Sequence, residues 1–140
     1  MAEWGSDPGA LVARLRQALL SERDVLGAWL FGSRVTGRPR PDSDVDVGVW
    51  MGGVPCGFER RADLTVLLEQ TIGLPVDVIV LDRADPLLAL DAVNGLPVMT
   101  REERRQLEYV LDVAREAEDW RVFLESFLEE RRRSREASGT

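Results

Sequence analysis

The sequence predicts an α/β (α+β) domain: a small mixed sheet of three to four strands with helices on one face and a long C-terminal helix. Three observations carry this. Short apolar runs of strand length alternate with stretches whose apolar residues recur every three or four positions. From Arg101 the helical spacing continues almost to the end of the chain. The length, 140 residues, suits one domain with a core of its own.

The elements follow in order. Residues 1–8 read as a leader, with Ser6 or Asp7 available as N-cap. A first helix over residues 9–22 sets Leu11, Leu15, Ala18 and Leu19 on one face. VLGAWLFG (25–32) reads as a short buried strand ending in glycine. SRVTGRPRPDS (33–43) is rich in Gly, Pro and Arg and reads as loop after at most a helical turn. DVDVGVWM (44–51) alternates and gives a second strand, and GGVP (52–55) turns the chain. A helix over 58–71 gathers Leu64, Leu67 and Leu68, Gly73 and Pro75 end it, and PVDVIVLD (75–82) is the third strand.

Residues 86–94 give a short helix stopped by Gly95 and Pro97, with Val98 and Met99 as a minor edge strand. In the last helix Leu107, Val110, Leu111, Ala114, Ala117, Leu124, Phe127 and Leu128 form a stripe, expected to be a core face. The competing reading makes Trp120, Phe123 and Phe127 a partner-binding groove. Residues 134–140 are expected to fray, and the arginines at 131–133 to be a solvated helix end. The domain division is a core over 1–100 and a helical extension over 101–140, part of the same domain or partner-binding.

Composition removes several chemistries. There is no histidine, which excludes Ser–His–Asp triads, HExxH zinc sites and zinc fingers. All 18 basic residues are arginine, so neither a Schiff-base lysine nor an ordinary P-loop is present. The single cysteine, Cys56, forbids an internal disulfide and is expected to be incidental. The net charge of −7 argues against direct nucleic-acid capture. No apolar stretch approaches a membrane span and the start lacks a signal-peptide pattern, so a cytoplasmic setting is expected. Carboxylates remain for acid, base or metal work: 12 Asp and 13 Glu.

The informative segment is Gly32-Ser33, ten residues, then Asp44-Val45-Asp46. On a strand, residues i and i+2 share a face, so Asp44 and Asp46 present two carboxylates together while Val45, Val47 and Val49 enter the core. Such a pair repels unless a cation lies between, and hard oxygens suit Mg²⁺, which keeps positions for water and phosphate. A glycine ending a buried strand lets a ligand approach the backbone, and Ser33 adds a donor. Arg34, Arg38 and Arg40 are candidates to reach a phosphate. About one D-x-D is expected by chance in such a chain, so the ordered combination carries the signal. Asp77 interrupts an apolar strand, either on a solvent face beside Ile79 or as a third carboxylate joining Asp44 and Asp46. Asp42 reads as a solvated turn and Tyr109 as a helix-surface residue.

These residues resemble the signature of the DNA polymerase beta-like nucleotidyltransferases: G-S, a spacer, D-x-D, and a third Asp on a later strand. The likeness covers roughly residues 25–82. The spacer and short length are similar to minimal nucleotidyltransferases, in particular the antitoxins paired with HEPN-domain ribonuclease toxins. The resemblance implies transfer of a nucleoside monophosphate to a hydroxyl with release of pyrophosphate. It implies that Gly32 and Ser33 hold the β- and γ-phosphates of ATP and that Asp44 and Asp46 bind two Mg²⁺ ions. Asp77 would bind the second metal and help deprotonate the acceptor. The implied acceptor is a tyrosine of the HEPN toxin, which AMP silences. Alternatives are transfer to a small molecule such as an aminoglycoside, against which the short C-terminal region argues, and a toxin-binding module without catalysis. One wall of the site is expected to come from a partner protein or from a second copy in a homodimer.

Overall fold

The computed structural model describes residues 7–35 and 44–139. The chain runs α1 (Pro8–Leu19), β1 (Gly27–Phe31), β2 (Val45–Trp50), α2 (Phe58–Ile72), β3 (Val76–Val80), α3 (Pro86–Val93), β4 (Leu96–Thr100) and α4 (Glu103–Ser138). The strands form one sheet in the order β3-β2-β1-β4. β1 is antiparallel to both β2 and β4, and β2 is parallel to β3 through the α2 crossover. This is the mixed α/β architecture expected, long final helix included.

The Val-rich alternation of β2 sends Val45, Val47 and Val49 into the main core. There they meet Leu11, Leu15 and Leu19 of α1 and Leu64, Leu68 and Ile72 of α2. Each residue of that face buries a fully apolar side chain, the dominant favourable contribution to folding. α1 and α2 therefore lie on one face. The expected confinement of the helices to that face does not hold, because α3 and the start of α4 cover the large aromatic side chains that β1 and β2 present on the other. A smaller cluster on the opposite face packs Trp29, Phe31 and Trp50 against Leu81 and against Ala92 of α3. Tyr109 and Val110, near the start of α4, join it.

Several boundaries differ from the sequence reading for identifiable reasons. Asp7 is the N-cap of α1, accepting from Gly9 N–H at 3.0 Å, whereas Ser6 lies outside the described residues. α1 stops at Leu19 rather than at residue 22 because a distant guanidinium takes over its last carbonyls. Arg101 donates to the backbone oxygens of Leu19, Leu20, Glu22 and Val25 at 2.7–3.0 Å. β4 spans five residues where two were expected. Its Pro97 is tolerated because β4 is an edge strand, with a register shift opposite Ala28 and Trp29.

The last helix departs most. α4 remains helical through Ser138, where fraying was expected from residue 134. Its stripe is not a core face along its whole length: only Val113 and Ala117 are buried. Leu107 and Leu111 are exposed because they lie on a different face of the helix from Val113 and Ala117, whereas Trp120, Phe123, Phe127 and Leu128 are exposed because the helix overshoots the sheet it packs on. Tyr109 is not a surface residue. It stacks on Trp50 at 4.7 Å between ring centroids, and burial pushes its phenol above the ordinary range. Cys56 is buried in the main core. Among the described residues no helix is long and apolar enough to cross a membrane.

Candidate active site

The candidate residues meet at the end of the sheet where β1 stops and β2 begins. Antiparallel register sets Phe31 opposite Asp46, so Gly32 leaves β1 beside the first carboxylate inside β2. In the parallel register of β2 and β3, the partner of Asp46 is Asp77. Register partners on neighbouring strands point to the same face. Asp46 and Asp77 thus stand side by side, away from the face that buries Val45, Val47 and Val49. Asp44 immediately precedes β2 and is exposed at the mouth of this arrangement.

Gly32 has φ of +80°, a conformation open chiefly to glycine. A Cβ built there would collide with Asp46 Oδ2 and lie 3.1 Å from its carboxyl carbon. Two sequence signals fourteen residues apart are therefore one local structure: the missing side chain of Gly32 makes the space that the Asp46 carboxylate uses. Ser33 follows in a single 3₁₀ turn, Gly32–Arg34, closed by Val35 N–H donating to Gly32 O at 3.1 Å. Arg34 is only 4 % exposed, so its guanidinium enters the fold and does not project from the loop. Arg38, Arg40 and Asp42 lie outside the described residues.

The electrostatics are those of crowded acids. Asp46 is held above its ordinary pKa, first by burial and then by repulsion from Asp77, Asp44 and Asp91. Asp77 has a cationic neighbour on the outer edge of the sheet. Arg61 of α2 donates through Nη2 to Asp77 Oδ1 at 3.3 Å and through Nε to Val78 O at 2.7 Å. The second bond also covers an edge carbonyl that the open side of β3 leaves unpaired. Both partners are about half exposed, so the contact orients Asp77 more than it stabilises the fold.

Among the described residues no three acidic or thiol side chains are gathered closely enough to hold a metal ion by themselves. Mg²⁺ seldom needs such a cage. It is commonly held by one or two carboxylates, with water and substrate phosphate completing the octahedron. Asp46 and Asp77 supply hard oxygens on one face, and their mutual repulsion is what a divalent cation relieves. The donor set fits Mg²⁺.

Sequence reasoning missed Arg61 and Asp91. Asp91 had a signal, being the one charged residue in the apolar helix LLALDAVN, the same anomaly that singled out Asp77. Arg61 had none, because its contact to Asp77 depends on how α2 crosses the edge of β3.

A mixed sheet with this connectivity, carrying a glycine turn and paired carboxylates at one end, defines a nucleotidyltransferase fold. The chain belongs to the polymerase beta nucleotidyltransferase family, whose profile matches residues 14–104. No curated protein matches the sequence significantly. Among solved structures, a chain of a toxin–antitoxin complex with AMP-PNP superposes with a TM-score of 0.71 at 17 % identity, covering 84 % of this chain and 94 % of that one. A chain of the MntA–HepT toxin–antitoxin superposes with a TM-score of 0.68 at 14 % identity, covering 87 % and 97 %. A chain of the tri-AMPylated Shewanella oneidensis HEPN toxin in complex with MNT antitoxin gives 0.68 at 14 % identity, covering 87 % and 96 %. At these identities the likeness is one of fold.

Proposed function

We propose that this protein is an Mg²⁺-dependent nucleotidyltransferase that moves AMP from ATP to a hydroxyl of a protein partner, and that it serves in the cytoplasm as the antitoxin of a HEPN ribonuclease toxin. The observation that carries the reading is the seating of Asp46 against Gly32 with Asp77 beside it on the same face. Gly32 and Ser33 hold the β- and γ-phosphates. Asp44, Asp46 and Asp77 are the side chains that would hold the metal. Held there, Mg²⁺ would supply positive charge to offset that of the triphosphate.

The acceptor oxygen forms a bond to the α-phosphorus while the bond to pyrophosphate breaks. Its proton passes to a carboxylate, and Asp77 is the candidate. With no histidine or lysine in the chain, the side-chain base is a carboxylate. Arg61 orients Asp77 for this role. The choice of AMP and of a HEPN partner is supported by the neighbours in fold, one solved with AMP-PNP and one with an AMPylated HEPN toxin.

The test is intact-mass spectrometry of the cognate toxin after incubation with this protein, ATP and Mg²⁺. The reading predicts whole AMP units on the toxin and none on an unrelated protein. An unmodified toxin that is nevertheless neutralised would replace it with the binding-only reading. An unmodified toxin together with AMP transfer to an aminoglycoside would replace it with the small-molecule one.

A further inference from the structure

We propose that the acceptor hydroxyl is presented by an extended, acidic segment of the partner protein, seated in the hollow outside β3, and that Arg83 selects this segment. The inference rests on the proposed transfer, in which Asp77 takes the acceptor's proton, and it names where that acceptor lies. Sheet order sets the direction of approach. Gly32 at the end of β1, Asp46 on β2 and Asp77 on β3 follow one another across the sheet, and β3 is its edge. A triphosphate on the Gly32 turn occupies the β1 side, so the attacking oxygen comes from the open side, beyond Asp77. In-line displacement places the attacking and leaving oxygens on opposite sides in this way.

Two hollows border Asp77, and the alternation of β3 chooses between them. One, of about 310 Å³, lies against α2 among Phe58, Thr65 and Val66, on the side of the sheet away from Asp46. The other, of about 300 Å³, is lined by Arg61, Ile79, Arg83, Ala84 and Leu88 together with Asp77. Ile79 shares the face of Asp77 two residues on, and Leu88 belongs to α3, which covers that face. This hollow is too small for a helix about 10 Å across, so the segment that fills it is extended. Strand addition is not its mode, because α2 already covers edge groups of β3. Arg61 Nε donates to Val78 O at 2.7 Å, and Glu69 Oε2 accepts from Val76 N–H at 3.1 Å.

Charge sets the chemistry of the occupant. Of the three charged residues lining the hollow, Arg61 and Asp77 pair with each other. Arg83 is exposed and has no ion pair among the described residues. The acids beside it in sequence are engaged elsewhere. Asp82 accepts from Met51 and Gly53 N–H at 2.8 and 2.6 Å, and Asp85 accepts from Leu88 N–H at 2.9 Å. Arg83 is therefore open to a carboxylate from outside, while Ile79, Ala84 and Leu88 offer apolar contact. Three residues of strand and a 3₁₀ turn separate it from Asp77, a span of about 10–16 Å. An extended segment covers that in about three to five residues. One unpaired arginine on a chain of net charge −7 is a poor seat for RNA, so the acceptor is a protein.

The test compares steady-state AMP transfer to the cognate toxin by the wild-type chain and by Arg83→Glu, with mass spectrometry locating the modified hydroxyl. The expected result is a kcat/KM for toxin about tenfold lower in Arg83→Glu. The KM for ATP and the circular dichroism should not change, and Arg83→Lys should stay close to wild type. Reversing to arginine a toxin Asp or Glu about three to five residues from the modified hydroxyl should restore transfer by Arg83→Glu. A kcat/KM unmoved by Arg83→Glu would overturn the proposal. So would a modified hydroxyl with no acid at that spacing, or a charge reversal that fails to rescue. Transfer to an RNA end that depends on Arg83 in the same way would replace it with the RNA reading. A wild-type chain that transfers no AMP at all would overturn the proposed function itself, a result that is distinct from each of these.

Discussion

Replacing Gly32 by alanine separates two physical effects that the site combines. The first is backbone strain, since an L-residue held at φ of +80° costs about 1–2 kcal/mol. The second is the collision between the new Cβ and the Asp46 carboxylate, which overpacking data put at a further 1–3 kcal/mol, roughly. Gly73→Ala supplies the control. Gly73 sits at the C-cap of α2 with φ of +71°, and a Cβ there would meet nothing within 4 Å. The entropy that alanine removes from the unfolded chain is the same in both variants and cancels.

At roughly 3 °C per kcal/mol for a domain of this size, Gly73→Ala should lower Tm by about 3–6 °C and Gly32→Ala by about 6–15 °C. Only the latter should also abolish AMP transfer, because the carboxylate must leave its seat. Thermal unfolding followed by circular dichroism reads the first quantity and toxin intact mass the second. If Gly32→Ala is no more destabilising than Gly73→Ala and retains transfer, the coupling of Gly32 to Asp46 is refuted.

Two other perturbations follow from the same structure. Asp46→Asn should raise the Tm of the metal-free protein at pH 7. The folded-state pKa of Asp46 lies above its unfolded value of 3.8, so ionisation penalises the fold as pH rises through the folded pKa. The gain should vanish below about pH 3.8, where both states are protonated, and a gain independent of pH would refute the electrostatic cause. Arg101→Met should destabilise by about 2–4 kcal/mol, because four backbone carbonyls lose one charged donor group. Urea titration measures it, and a loss under 1 kcal/mol (on the order of a single surface contact) would contradict that role for the guanidinium.

The fold and the candidate site were legible in the sequence to different depths. Period-two alternation in DVDVGVWM and PVDVIVLD located β2 and β3, because a half-buried strand needs one apolar face. The neighbouring positions of Asp46 and Asp77 were not local information. They follow from parallel register across the α2 crossover, although a lone acid in an apolar strand hinted at them. β4 was underestimated because Pro97 reads as a breaker until the strand is known to be an edge. The end of α1 was misjudged because Arg101, about 80 residues away in sequence, supplies the donors that let it stop. Periodicity found α4 but only part of its packed face: Val113, which meets the sheet with Ala117, was not in the expected stripe, and Leu107, Leu111 and Ala114, which were, are exposed. An apolar stripe looks the same whether it covers a sheet or runs past it, and the difference lay in where Ala117 meets the edge of the domain.

Transfer by this site requires Asp46 and Asp77 jointly to hold a divalent cation only when a triphosphate lies against the Gly32 turn. Electron paramagnetic resonance of Mn²⁺ titrated with this protein measures it directly. The prediction is that ions become bound when a non-hydrolysable ATP analogue is added and stay free without it, and that Asp46→Asn and Asp77→Asn each abolish the binding. Binding that persists in both variants, or that ignores the nucleotide, would contradict it.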